Sequence, residues 1–303
     1  ELTGAPIGVR FWAYPPHSLL LAWLFGLLPF YVALALWSGL GLTVLAIGCR
    51  RLGLNTLEAA IVLLSPASVL CLYYGQTGNL ATGLLLLALA PRRGHELRAI
   101  GAAALLTMKP QMGFLLPFFW LAERRWKAIV GTTLATLGLL AITLALFGGG
   151  VWSRYLTDTL AGLSQLERHG SGPFMYMIPS TFMSLRILHG DGDLALGLHF
   201  LVALPVLAFA LWRLWRLDDP LRRVALVLVG TALVTPYLHN YDLTLVAVGA
   251  LLVLRRFPAG ERGELGVCLL VALALALPQL VWGLNLIGVP ISPLLVLPLL
   301  LLA

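Results

Sequence analysis

Charged side chains are what this sequence most lacks. They make up 11% of its 303 residues, against roughly 25% in a soluble globular domain. Hydrophobic residues reach 60% and mean hydropathy is +0.93, so a water-facing shell cannot be assembled from this composition. A soluble globule of this length is excluded. Cysteine is nearly as scarce. Cys49, Cys71 and Cys268 stand singly in apolar runs, without pairing or metal-ligand spacing, and read as small core residues. Acidic residues number 13 against 20 Lys and Arg, a formal net charge of +7. The basic excess forms short clusters between apolar runs, not one stripe, which argues against a nucleic-acid face and for the loops of a membrane protein. Zinc-ligand spacing, a phosphate-binding glycine loop, a dinucleotide fingerprint and a nucleophile elbow are all missing from contexts that would support them. The sequence requires no cofactor and leaves divalent-metal dependence open. A methionine start and a signal peptide are missing too, and the chain opening at Glu1 reads as a piece of something longer.

What the sequence does have is apolar runs, such as Leu134 to Phe147 and Leu265 to Leu277, suited to lipid or to neighbouring membrane helices. Fifteen of the 20 Lys and Arg fall in five clusters: Arg50 and Arg51; Arg92, Arg93 and Arg98; Arg124, Arg125 and Lys127; Arg213, Arg216, Arg222 and Arg223; Arg255, Arg256 and Arg262. Placing all five in the cytoplasm, as positive-inside bias requires, demands an even number of spans between successive clusters. The runs 57–73 and 79–90, 99–108 and 112–122, 128–147 and 194–212, and 224–235 and 241–254 meet that demand. Runs 265–283 and 291–303 follow, 30–49 crosses from outside to inside, and the path of 16–28 stays open. The fold class expected is therefore all-α, a polytopic transmembrane protein of about 11–12 membrane segments, several short or broken. It forms one multi-spanning domain over residues 1–303, with 148–193 as an outer loop or cap. Anionic lipid headgroups are natural partners of its inner loops.

This topology puts four polar stretches outside: Gly75 to Asn79, Lys109-Pro110-Gln111, the loop 148–193, and Thr235 to Asp242. The arms flanking Lys109 hold about 10 residues and reach roughly 15 Å as helix, whereas a hydrocarbon core is about 30 Å thick. Lys109 thus lies well below the outer surface. Broken backbone and charge are tolerated at such depth where they line a watered, protein-walled cavity. An outward vestibule floored by polar turns follows.

Lys109 is the strongest signal, because an ammonium at depth needs water or an anion, and a phosphate or carboxylate would serve. Pro110 breaks the helix beside it. Gly75-Gln76-Thr77-Gly78-Asn79 offers two glycines for a tight turn and two amides, Gln76 and Asn79, able to bind sugar hydroxyls or phosphate oxygens. The same residue types also simply end helices. Pro236 to Asp242 packs Tyr237, His239, Asn240, Tyr241 and Asp242 into one turn. There His239 can hold a phosphate oxygen or carry a proton, one tyrosine serves as an interfacial belt residue, and Asp242 doubles as a helix cap. Tyr14-Pro15-Pro16-His17 reads as a rigid lead-in to the membrane, with Tyr14 and His17 at the site's edge. Arg154, Asp158, Glu167, Arg168 and His169 show no recognisable spacing and read as a partly amphipathic cap. Asp191 and Asp193 read as a turn, not a metal pair.

The order Tyr-Pro-Pro, Gly-Gln-x-x-Asn, Lys-Pro-Gln and Pro-Tyr-x-x-x-Tyr-Asp, each between hydrophobic hairpins, resembles glycosyltransferase family 87 from Phe11 to about Leu254. These are bacterial mannosyltransferases that use polyprenol-phosphate mannose and have the GT-C membrane fold. The resemblance implies a hexose, mannose or a relative, moved from a polyprenyl-phosphate sugar to a lipid or glycan acceptor. It implies a multi-pass protein of the bacterial plasma membrane with its site facing the periplasm or cell exterior. Gln76 and Asn79 match the family's first turn, Lys109 and Gln111 the second, and Tyr237, Tyr241 and Asp242 the third. Lys109 and His239 would then stabilise the leaving phosphate, with Gln76, Asn79 and Gln111 orienting sugar or phosphate. The resemblance also implies a general-base carboxylate in a first outer loop, upstream of Glu1; within this chain Asp242 is the carboxylate nearest the motifs. The alternative is a transporter or flippase for a lipid-linked or anionic substrate, which also uses broken helices. One-sided polar turns and no convincing internal repeat weigh against it.

Overall fold

Proline, glycine and small polar residues divide the apolar sequence into sixteen α-helices among the described residues. The computed structural model of the chain describes residues 12–90, 96–257, 260 and 263–303. Phe11, Arg92, Arg93 and Arg262 lie outside the described residues. The chain opens with α1 (Leu19–Gly26) and α2 (Phe30–Arg51), followed by α3 (Thr56–Leu63), α4 (Pro66–Tyr73), α5 (Gly78–Leu89), α6 (Glu96–Leu106) and α7 (Leu116–Ala122). After α8 (Trp126–Phe147) comes a cap built of α9 (Gly149–Arg154), a π-helical turn at Tyr155–Thr159, α10 (Leu160–His169) and α11 (Thr181–His189). The last five helices are α12 (Gly192–Arg216), α13 (Pro220–Val234), α14 (Thr244–Leu254), α15 (Glu264–Leu286) and α16 (Ser292–Leu302).

Four helices, α2, α8, α12 and α15, are each long and apolar enough to cross a membrane, and α3 with α4 makes a fifth if that bent pair is one span. The chain is a polytopic all-α membrane protein, as its composition requires. The other segments read from the sequence are present but short. Helices α5, α14 and α16 have 12, 11 and 11 residues, so at about 1.5 Å per residue none reaches across alone. The run 57–73, read as one span, breaks into two helices inclined at 45°. Ser65 accepts the Ser68 amide and Pro66 takes the first helical turn, which writes a helix start into the middle of the run.

Three of the short helices form the core; α5 and α14 are apolar on every side, and a helix without a polar face suits a buried position. Helices α5, α13 and α14 are enclosed along nearly their whole length. The long helices surround them and turn leucines such as Leu134, Leu137 and Leu146 of α8 outward. Small residues set the closest crossing. A Cβ on Gly83 of α5 would lie 2.5 Å from the Leu45 amide nitrogen of α2, and one on Gly48 would meet the Gly83 carbonyl at 3.0 Å.

The two ends of this bundle differ in chemistry. At the arginine-rich end, ion pairs join separate hairpins: Arg125 to Glu96 at 3.0 Å, Arg223 to Glu123 at 3.6 Å, and Arg255 to Glu58. At the other end the chain turns through Gly75–Asn79, Lys109–Gln111 and Thr235–Asp242, and the cap folds over these turns.

Candidate active site

The glycine turn is held by its own backbone. Gly75 has φ +61°, the left-handed region that favours glycine. Behind it the Gln76 amide donates to the Cys71 carbonyl at 2.8 Å. The Cys71 thiol donates to the Gln76 carbonyl at 3.1 Å and accepts the Asn79 amide at 3.2 Å. Cys71 is thus more than a small core residue: it ties the turn closed. Gly78 lets this turn seat directly on the third one, since a Cβ there would collide with the Tyr241 carbonyl and approach Asp242 Oδ1 to 3.0 Å.

Lys109 finds its anion inside the chain. Its Nζ donates to Asp242 Oδ1 at 2.5 Å and to Thr77 Oγ1 at 3.4 Å, and lies 5.3 Å from the centre of the Tyr241 ring. Lys109 is 4% exposed and Asp242 is 0%. An ammonium has three N–H groups; two are taken, and Lys109 still lines the cavity described below. Asp242 has no such freedom, because its Oδ2 accepts the His239 backbone amide at 3.3 Å.

A cavity of about 430 Å³ opens above this pair, lined by Tyr14, Lys109, Gln111, Tyr237, His239 and Tyr241. The His239 ring stacks on Tyr241 at 5.0 Å, and Tyr237 packs edge-on against Phe182 of the cap at 5.3 Å. Thr235 donates to the Gln111 carbonyl at 3.4 Å, joining the second and third turns. Beside the cavity runs an apolar groove of about 470 Å³ between α1 and α2, walled by Trp12, Phe25, Phe30, Leu34 and Trp37. Gln76 and Thr77 close its polar end. Tyr14 and Met108 line both spaces, and Tyr14 Oη is 3.0 Å from Thr77 Oγ1.

Seven of the ten residues singled out in the sequence therefore line the cavity, the groove or both. Three stand behind them. Asn79 is buried, donating from Nδ2 to the Ser68 carbonyl and accepting the Thr244 hydroxyl at Oδ1, each at 3.2 Å. It ties α4, α5 and α14 together, the helix-end role that its residue type equally allows. His17 is buried against Thr107, with Nε2 3.0 Å from Oγ1, and its ring stacks on Trp152 of the cap. Asp242 is the counter-ion of Lys109, with both oxygens engaged. Asp191 accepts the amides of Asp193 and Leu194 and starts α12, as a turn residue does.

One cavity residue shows no signal in the motifs. Glu167 enters from the cap, on the α10 face formed by Leu160, Leu163, Ser164 and Glu167. Those positions follow the spacing of one helical face, so the signal available was a carboxylate on a face that otherwise holds two leucines and a serine. Its Oε2 is shielded from solvent and accepts no hydrogen bond. Burial pushes the Glu167 carboxyl up to about 7, against the opposing charge of Arg186.

The family model described as glycosyltransferase family 87 matches residues 12–236, taking in the first two turns and ending just before Tyr237. Neither the comparison with curated proteins nor that with solved structures gives a match.

Proposed function

Because the chain belongs to glycosyltransferase family 87, we propose that it moves a hexose, mannose or a close relative, from a polyprenyl-phosphate sugar to a hydroxyl of a lipid or glycan acceptor. We place the reaction at the outer face of a bacterial plasma membrane, on a GT-C type of helical fold. The observation that carries this reading is the meeting of two unlike spaces at Tyr14 and Met108. The apolar groove suits an isoprenoid chain. The cavity suits a phosphosugar, with Lys109, Gln111, His239 and two tyrosines as its polar partners. A donor that is half hydrocarbon and half polar fits both at once.

Within this reading the third N–H of Lys109 meets the phosphate oxygen as negative charge grows on it. Because Asp242 already fixes the ammonium, the donor is aimed before the reaction begins, and such preorganisation is where electrostatic catalysis gains most. Gln76, at the junction of groove and turn, contacts the phosphate, while Gln111, Tyr237 and Tyr241 contact the sugar. Membership of a transferase family favours this enzyme over a transporter or flippase.

The test is transfer from radiolabelled polyprenyl-phosphate mannose in membranes holding the protein. Wild type should label a lipid or glycan product, and Ala33→Phe, which fills the groove wall, should raise KM more for long-chain than for short-chain donors. Equal effects on both would remove the groove from the donor site. Absence of transfer from mannose and glucose donors would sink the reading.

A further inference from the structure

A donor that engages the turns and the groove leaves one wall of the cavity unused. That wall belongs to the cap, where Leu160, Leu163, Ser164 and Glu167 recur along one face of α10 and Tyr155 stands beside them. A regular helix would not put it there. Tyr155 lies five residues before Leu160, and in an α-helix five residues turn a side chain about 140° from its starting direction. The π-helical turn at Tyr155–Thr159 removes that offset, because the Leu160 amide donates to the Tyr155 carbonyl, five residues back instead of four. One extra residue is absorbed in the turn, and the phenol rejoins the cavity face. Turns of this kind inside helices collect at functional sites.

Resting on the transferase reading above, we propose that this wall binds the acceptor and that Tyr155 is the residue that grips and orients its hydroxyl-bearing end. Tyr155 Oη hydrogen-bonds an acceptor oxygen, Ser164 offers a second hydroxyl, and Leu160 and Leu163 take the apolar part. The cap then sets which acceptors enter, while Lys109 and its turn hold the donor.

Three observations support the assignment. Tyr155 is half-buried, and among the described residues its hydroxyl has no hydrogen-bond partner, so the group is both reachable and unengaged. Its ring is anchored: Tyr155 packs edge-on against Trp152 at 6.4 Å, and Trp152 stacks on His17 at 6.1 Å. His17 meets Thr107, two residues before Lys109, with Nε2 3.0 Å from Oγ1, which ties this wall to the turn that holds the donor. Tyr155 also lines the cavity and not the groove, so it stands apart from the isoprenoid end of a donor.

The deciding experiment uses membranes holding the protein, radiolabelled polyprenyl-phosphate mannose as donor, and octyl α-mannoside as acceptor probe. That probe carries hydroxyls at one end and an alkyl chain at the other. KM for each substrate, or the inhibition constant where the probe binds without reacting, is measured in wild type, Tyr155→Phe and Tyr155→Ala. Unfolding midpoints are taken alongside in mild detergent. Loss of one hydrogen bond to a neutral partner should raise the acceptor KM of Tyr155→Phe about 3–10-fold, with the donor KM within a factor of about two and the midpoint unchanged. Tyr155→Ala, which also loses the ring, should raise the acceptor KM further. Acceptor KM values that stay at wild type overturn the proposal, and so do equal rises in both KM values, the mark of a residue that only holds the cap in place. A wild type that labels a membrane product but neither uses octyl mannoside nor is inhibited by it also overturns the proposal. In each of these cases the transferase reading stands. Transfer absent altogether sinks that reading, and the acceptor wall with it.

Discussion

Lys109 Nζ lies 2.5 Å from Asp242 Oδ1, and the two residues are 133 positions apart in the chain. The pair is buried on both sides, so each partner offsets part of the desolvation cost of the other. Removing either one alone strands a buried charge. Lys109→Ala and Asp242→Ala are each expected to lose about 3–5 kcal/mol of stability, read as the unfolding midpoint in mild detergent. The double replacement Lys109→Met with Asp242→Leu should recover most of that loss and still show no transfer. If the double variant is no more stable than the singles, the pair is not what holds these turns together.

Asn79 separates structure from ligand contact. Its amide bridges Ser68 and Thr244 away from the cavity, so Asn79→Ala should cost about 1–3 kcal/mol, the penalty of stranding buried polar groups. The donor KM should stay near the wild-type value. A large rise in KM in a variant of normal stability would restore Asn79 to the ligand.

The α2–α5 crossing has no room for a methyl group. Gly83→Ala places a Cβ 2.5 Å from the Leu45 backbone nitrogen, and rigid backbone cannot move aside as a side-chain tip can. Overpacking of this kind costs about 1–3 kcal/mol. Gly138→Ala in α8, whose new Cβ would meet nothing within 4 Å, is the control and should be neutral or slightly stabilising. Equal melting of both variants would show that the crossing yields.

Glu167 makes the cap sensitive to pH in a direction that can be stated. Its carboxyl rises from an ordinary 4.5 to about 7 because burial penalises the charge. The folded cap therefore keeps a proton that the unfolded chain has released, and stability falls as pH climbs through that window. Exchange protection of the α10 amides, corrected for intrinsic rate, should be lower at about pH 8 than at about pH 5, and Glu167→Gln should flatten the difference. A slope that survives the substitution would show that Glu167 is not its source.

How much of this was legible beforehand depended on what each residue type signals locally. The three turns could be read because proline, glycine and an isolated lysine are improbable inside apolar runs, whatever lies around them. The partner of Lys109 could not, since nothing local ties residue 109 to residue 242. Asn79 was legible as an amide at a turn, but hydrogen-bonding capacity does not say whether a helix or a ligand uses it. Glu167 was passed over because it sits in a stretch that carries Arg168 and His169, and charge in a loop ordinarily means solvent. Only folding α10 onto the cavity turns that carboxylate inward. The bend after Leu64 was hidden within a run of apolar residues, although Ser65-Pro66 encodes it.

The long reach of the Lys109–Asp242 pair also sets a schedule for synthesis. At about 5–20 residues per second, the 133 positions between them take roughly 7 to 27 seconds to emerge. Through that interval the lysine is in place and its counter-ion does not yet exist. The half-built bundle must keep a path from Lys109 to water until the α13–α14 hairpin arrives. Inserting that hairpin is therefore a discharging step as well as a folding step, and the candidate site acquires its resting charge only when that hairpin is in place.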